Sequence, residues 1–315
     1  MFFIVIFMVY GFCREAVWLH VVVTGGCGFI GGRLVERLIG EGFRVTVLDN
    51  LSRASPRVLE RLKNLNRVEV KIVDVRCFEK VLSYLQGEGV FHLAALTDAE
   101  ESQHFKDLYW SVNVDGTVNV LEAASRKGMK MLFTSSAAVY GELERYARED
   151  DPVNPANFYG VTKLEAEKKC LKYSDKIEVT ILRLFNVYGE DARSGVIKNF
   201  LEAVYSGRPL TVYGDGMYVR DFIYVDDVVE GIIRAYYTSS KNPRILNIGS
   251  GKPVVIRDLA EFIDSRVGVG IVHREPRNVD VRYSVADISR ALHELGWKPR
   301  VDLYDWILDK LEVIR

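Results

Sequence analysis

Residues 24–31, Thr-Gly-Gly-Cys-Gly-Phe-Ile-Gly, constrain the fold of this chain more than any other stretch. They follow a β-branched run, His20-Val21-Val22-Val23, and precede apolar residues Leu34, Val35, Leu38 and Ile39 at helical spacing. Glycines in a strand-to-helix turn allow a tight bend, close approach of backbone to a pyrophosphate, and close packing of helix on strand. The helix start adds free N–H groups and a partial positive charge. A plain turn could carry the same glycines. Here, however, a second strand ends in Val47-Leu48-Asp49, an acid suited to the hydroxyls of an adenosine ribose. The turn therefore reads as a dinucleotide site, with Gly25, Gly28, Phe29, Ile30 and Gly31 at the pyrophosphate and Asp49 and Asn50 at the ribose. Asp49 would repel a 2′-phosphate, which favours NAD over NADP. Arg53 reads as a solvated loop charge.

The same alternation continues along the chain. Strands are predicted over 20–24, 44–48, 69–73, 89–93, 131–134 and 179–184, with helices over 31–39, 56–65, 78–85, 112–125 and 157–173. That order predicts an α/β fold, a doubly wound parallel Rossmann sheet over 19–185. Beyond Asn186, helices near 196–206, 226–238 and 257–264 mix with short strands and turns. Residues 186–315 are expected to form predominantly a smaller mixed α/β substrate-binding lobe, with some segments free to return to the first domain. Asp74-Val75 follows the third strand, where an acid can hydrogen-bond adenine or cap the next helix. Leu93, Ala94 and Ala95 are small enough or apolar enough to let a cofactor lie along the backbone, and His92 before them reads as a core residue.

Residues 1–12 are almost wholly apolar but too few to cross a bilayer core, which takes about 20. No charge precedes them and no small-residue cleavage site follows, so they do not read as a signal peptide. Segment 1–18 is expected to reflect a start placed too far upstream, with the natural start near Val17 or Leu19. The alternative is an extra apolar segment that packs on the fold or on membranes. A net charge of -1 gives no electrostatic case for nucleic acid or an anionic membrane. Four cysteines without a Cys-x-x-Cys pair, and five histidines without ligand spacing, point to no metal and to a reducing, cytoplasmic setting.

Tyr159 and Lys163 stand one turn apart on one face of the predicted 157–173 helix. A phenol with a pKa near 10 is a poor base at neutral pH, and a nearby ammonium favours its phenolate. Upstream, Thr134-Ser135-Ser136 ends the fifth strand, placing hydroxyls where they can meet a substrate oxygen or serve turn chemistry. Either motif alone is common; their order after a nucleotide turn is not.

From about His20 to its end, the chain resembles the extended short-chain dehydrogenase/reductase family, in its sugar-nucleotide epimerase/dehydratase branch. Besides the motifs above, Asn113-Val114-Asp115-Gly116-Thr117, Arg183-Leu184-Phe185-Asn186-Val187-Tyr188-Gly189, Val219 to Asp227 and Leu295-Gly296-Trp297-Lys298-Pro299 carry the likeness. The resemblance implies Tyr159 as base, Lys163 as the cation that positions the cofactor, and Ser136 as a bridging hydroxyl. It adds Asn113 and Thr134 to the NAD site. Asn186, Arg220 and Arg277 would hold a nucleotide diphosphate, a role that planar guanidinium suits. Thr211 and Tyr213 would contact uridine and Asp280 its ribose, with Val196 also at the substrate. Ser284 falls where N-acetyl sugars are admitted or refused. The implied activity is 4-epimerisation of a UDP-hexose through a 4-keto sugar, with NAD as a resident tool and a homodimer packed through the Tyr159 and Asn113 helices. Dehydratases of the branch carry an Asp-Glu pair where this chain has Ala137 and Ala138, which disfavours dehydration. UDP-uronate decarboxylase and uronate 4-epimerase are the alternatives, and a non-catalytic NAD sensor is the reading from another class.

Overall fold

Parallel strands sandwiched between helix layers must be apolar on both faces, and the β-branched runs of this chain satisfy that condition except at the edge run Val68–Ile72, which carries Glu69 and Lys71. In the computed structural model, which describes residues 19–238, 243–277 and 279–312, they become β1 (His20–Thr24), β2 (Arg44–Asp49), β3 (Val68–Ile72), β4 (Gly89–His92), β5 (Lys130–Ser136) and β6 (Val179–Leu184). Segment 1–18, and the expectation about its start, lies outside the described residues. β5 extends past the predicted 131–134 and takes the hydroxyl run 134–136 into the strand itself.

From residue 186 onward the chain forms β7 (Asn186–Tyr188), β8 (Leu210–Tyr213), β9 (Val219–Tyr224), β10 (Arg244–Ile248), β11 (Pro253–Val255), β12 (Ile271–Arg274) and β13 (Tyr283–Ser284). β10 returns to the large sheet as its seventh strand, so the order is β10-β6-β5-β4-β1-β2-β3, every neighbouring pair parallel. The chain winds outward from β1 through β2 and β3, then restarts at β4 on the other side of β1. That reversal opens a crevice at the carboxyl ends of β1 and β4.

Helices cover both faces. Phe29–Gly40, Pro56–Lys63 and Val225–Tyr237 pack one side around Val21, Val23, Leu34, Val58 and Ile232. Phe78–Tyr84, Gly116–Lys127 and Phe158–Tyr173 pack the other around Val22, Val90, Leu121, Phe133 and Ala166. The predicted 112–125 helix is interrupted: Ser111–Asp115 forms a π-helical turn before the α-helix begins.

The remaining elements pair and pack largely among themselves. β9 is flanked by β11, β13 and β7, while β8 and β12 form a separate parallel pair. Helices Val196–Tyr205, Ile256–Val267 and Leu303–Glu312 close a third core around Phe200, Leu259 and Ile307. Trp297, 1% exposed, joins the closing segment to the helix Val225–Tyr237: its indole N–H donates to the Asp227 carbonyl at 3.0 Å. Trp297→Phe deletes that bond and leaves a void, so a loss of about 1–2 kcal/mol is expected in urea unfolding, with the midpoint falling at unchanged slope.

Candidate active site

The turn after β1 is shaped by close backbone contacts. Gly25 has φ +70°, and a Cβ there would lie 2.7 Å from the Ala94 nitrogen; one on Gly31 would lie 2.2 Å from the Gly25 carbonyl oxygen. Real side chains do not tolerate such contacts, so these positions hold a cradle that only glycine leaves open. The helix that follows, opening with Phe29 and Ile30, starts at Gly28 without a capping side chain, which leaves its first N–H groups for an anion. The Thr24 hydroxyl accepts the Ala94 N–H at 3.2 Å and meets His92 Nδ1 at 2.6 Å, while His92 Nε2 meets the Thr117 hydroxyl at 2.9 Å. Burial, together with the Lys163 charge, pushes His92 down to about 3. It is a neutral, satisfied core residue.

Asp49 accepts the Cys27 and Leu51 N–H groups at 3.0 and 2.8 Å. Burial raises its carboxyl and those two bonds pull back. Asn50 donates to Asp74, whose carboxylate also takes three bonds from Arg76 and lies well below the ordinary range because of that guanidinium. Asp74 does not cap the next helix; Cys77 stands at that position. Val75 is buried, Leu93, Ala94 and Ala95 are half-buried, and the Thr134 hydroxyl donates to the His92 carbonyl at 3.2 Å. Asn113 sits behind the loop after β4. Its amide is spent inside the protein, accepting from the Leu96 N–H and donating to the Leu96 carbonyl and the Thr162 hydroxyl, all within 2.9 Å. The π-turn that carries it holds the loop after β4 in place. The Cβ-free cradle, the uncapped helix start and the acid at the end of β2 together fit a dinucleotide.

Tyr159 is set by three local contacts. Asn157 caps its helix, accepting the Gly160 N–H at 2.9 Å. Gly160 lets that helix end press onto the Ala137–Val139 turn, where a Cβ would sit 2.5 Å from the Ala138 carbonyl oxygen. The Tyr159 N–H donates to Ser102 Oγ at 3.0 Å. The result sets the Tyr159 phenol near the Ser136 hydroxyl, which acts to lower its pKa. Lys163, 3% exposed, holds its Nζ 4.3 Å from the centre of the Phe133 ring, a cation–π contact. Burial pushes Lys163 down to about 8, against the opposing charge of the Glu167 carboxylate. Burial raises the Tyr159 phenol, and the Ser136 hydroxyl offsets part of that rise.

The lobe gathers the remaining residues around β9. In register, Ser284 lies opposite Arg220, and Asn186, exposed, lies opposite Phe222. Arg277 donates twice to Asp280 at 2.9 Å and lies 4.7 Å from the Tyr213 ring, and Arg220 reaches Asp280 at 3.9 Å. Burial pulls the Arg220 guanidinium below its ordinary value; Asp280 offsets part of this and Arg277 adds to it. A buried, under-compensated cation beside a second arginine suits a diphosphate. Thr211 and Tyr213 lie on β8, beside β12, and Val196 opens the helix Val196–Tyr205. The sequence reading missed Ser102, and no local motif marks it. It also missed a buried pair behind Lys163, Glu167 with Arg183, bonded at 3.0 and 2.8 Å. Among the described residues no cluster of three or more His, Cys, Asp or Glu could hold a metal, and no helix is long and apolar enough to cross a membrane.

Sheet order, glycine cradle and the Ser136–Tyr159–Lys163 group define a nucleotide-dependent enzyme of the short-chain dehydrogenase/reductase class. The chain belongs to the NAD dependent epimerase/dehydratase family, whose profile matches residues 21–249. Its cofactor is NAD. It is 35% identical over 311 residues to the UDP-glucose 4-epimerase of Mycolicibacterium smegmatis, covering 94% of this chain and 99% of that protein. It is also 33% identical to UDP-glucuronic acid decarboxylase 1 of Arabidopsis thaliana, over 90% of this chain and 67% of that one. Among solved structures, the UDP-glucuronic acid 4-epimerase of Bacillus cereus, in complex with UDP-glucuronic acid and NAD, superposes with a TM-score of 0.85 at 29% identity, covering 94% of this chain and 100% of that one.

Proposed function

We propose that this enzyme epimerises a UDP-hexose at C4, interconverting UDP-glucose and UDP-galactose. The observation that carries the reading is the placing of Tyr159 near the Ser136 hydroxyl, with Ala137 and Ala138 next in the chain, so that one proton-transfer group acts without a carboxylate in that turn. On this reading Tyr159 takes the proton of the sugar 4-hydroxyl and Ser136 bridges phenol and substrate. Lys163 supplies positive charge, and Arg220 and Arg277 anchor the diphosphate. Gly25, Gly28, Gly31 and Asp49 would hold NAD, which supplies reversible hydride storage when bound. The 4-keto sugar turns over in the pocket and Tyr159 returns the proton to the epimer. Homodimer formation through the Asn113 and Tyr159 helices belongs to the same reading, supported by exposed Phe105, Leu108 and Trp110 just before the π-turn.

The test is incubation with UDP-glucose, UDP-galactose, UDP-GlcNAc and UDP-glucuronate without added cofactor, with products read by NMR. Conversion of UDP-glucose to UDP-galactose supports the proposal. Release of carbon dioxide from UDP-glucuronate with no change in the hexoses would replace it with the decarboxylase reading, which draws on the 33% likeness above. Ser284, half-buried beside Arg220, is read as leaving room for an N-acetyl group. Ser284→Tyr is expected to lower kcat/KM for UDP-GlcNAc by about tenfold or more and to spare UDP-glucose, measured as paired steady-state assays.

A further inference from the structure

We propose that Arg53 and Glu101 form a clasp across the mouth of the cofactor crevice that slows release of bound NAD. The inference rests on the glycine turn being the cofactor site. Strand order sets the geometry. β1 lies between β2 and β4, so the loops that follow β2 and β4 flank the glycine turn on opposite sides. A bond between those loops spans the carboxyl end of β1. Arg53, in the loop after β2, and Glu101, which opens the short helix Glu101–His104 in the connection after β4, make that bond at 2.5 Å. Arg53 is therefore not the free solvated charge expected from the sequence.

Both ends of the clasp are braced. The second Glu101 oxygen accepts the hydroxyl of Tyr109 at 2.8 Å, and the Tyr109 side chain is wholly buried. The next residue, Ser102, accepts the Tyr159 N–H, so this end is fixed to the helix that carries the phenol. On the other side, the guanidinium of Arg193 donates to the carbonyls of Arg53 and Ala54, and the Ser55 N–H donates to the Cys27 carbonyl within the glycine turn. The arginine pair also holds Glu101 below the ordinary carboxylate range. Three segments, after β2, after β4 and after β7, are thus tied together over one strand end. A dinucleotide leaving the crevice has to part them. Arg53 and Glu101 are positioning residues with no part in proton transfer.

The experiment is a chase of bound fluorescent etheno-NAD by excess NAD, which reads the release rate directly. Arg53→Ala and Glu101→Gln are each expected to speed release about two- to fivefold at low salt, the range for a half-exposed ion pair. The double variant is expected to release no faster than either single one, and the difference should fade near 1 M salt. Wild-type release from both single variants at low salt would overturn the clasp, as would single effects that simply multiply in the double variant. Gly31→Ala separates the underlying reading. If that variant retains NAD as the wild type does, the glycine turn is not the site and the clasp falls with it. If it loses NAD while Arg53→Ala releases normally, the clasp alone fails.

Discussion

Tyr159→Phe is expected to lower kcat by roughly 10²- to 10⁴-fold, the usual worth of a positioned general base, while the purified protein still binds NAD. The substitution removes one oxygen and keeps the ring. The helix cap at Asn157, the Gly160 contact and the Ser102 bond to the Tyr159 N–H all involve backbone or other side chains. Retained turnover in the Phe variant would remove Tyr159 from the chemistry, and absence of turnover in the wild type as well would favour the NAD sensor. The pH dependence gives a second check. Lys163 lies at about 8 in the folded protein, below its ordinary value near 10.4, with burial the main cause. As pH rises through about 8 the ammonium is lost and kcat/KM is expected to fall. Stability moves the other way. Between about pH 8 and 10.4 the unfolded chain binds more protons at this site than the folded one, so this group's contribution to stability rises with pH. Rate and unfolding profiles measured in the same buffers should therefore diverge above pH 8.

Much of the fold was legible because its signals are local. Period-free β-branched runs, helical spacing and the glycine turn placed β1 to β6 within a residue or two, apart from the extra length of β5. β10 was not legible: Arg-Ile-Leu-Asn-Ile reads as any short strand, and only pairing with β6, more than sixty residues earlier, sends it back to the large sheet. The π-turn at Ser111–Asp115 was hidden for a related reason, since its sequence is helical and its irregularity follows from Asn113 reaching Leu96 and Thr162. Charges were the least readable. Arg53 meets Glu101 and Arg61 meets Asp191 across 48 and 130 positions, and nothing beside either residue announces a partner. The cofactor turn was legible because its chemistry is written into consecutive backbone positions. The environment of Lys163 was not, because burial and the Phe133 ring are properties of the packed state.

Arg183→Met is expected to cost about 3–5 kcal/mol of stability, because it leaves the Glu167 carboxylate buried without its partner. The two side chains are 5% and 2% exposed, and Arg183 also donates to the Glu149 carbonyl at 3.1 Å and lies 4.8 Å from the Tyr140 ring. Replacing both members changes the balance. In Glu167→Met/Arg183→Met neither member of the pair is stranded, two apolar chains of similar volume meet, and most of the loss should return in urea unfolding at unchanged slope. The recovered protein then isolates a functional consequence. Glu167 stands one helical turn from Lys163, and its charge opposes the lowering of the ammonium by burial. With Glu167 gone, Lys163 should lose its proton at lower pH, and the high-pH fall of kcat/KM should move below 8 even though the fold is restored. A double variant that regains stability and keeps the wild-type profile would assign the pair to packing alone; a shifted profile makes it the counter-charge that keeps the lysine cationic in a buried site.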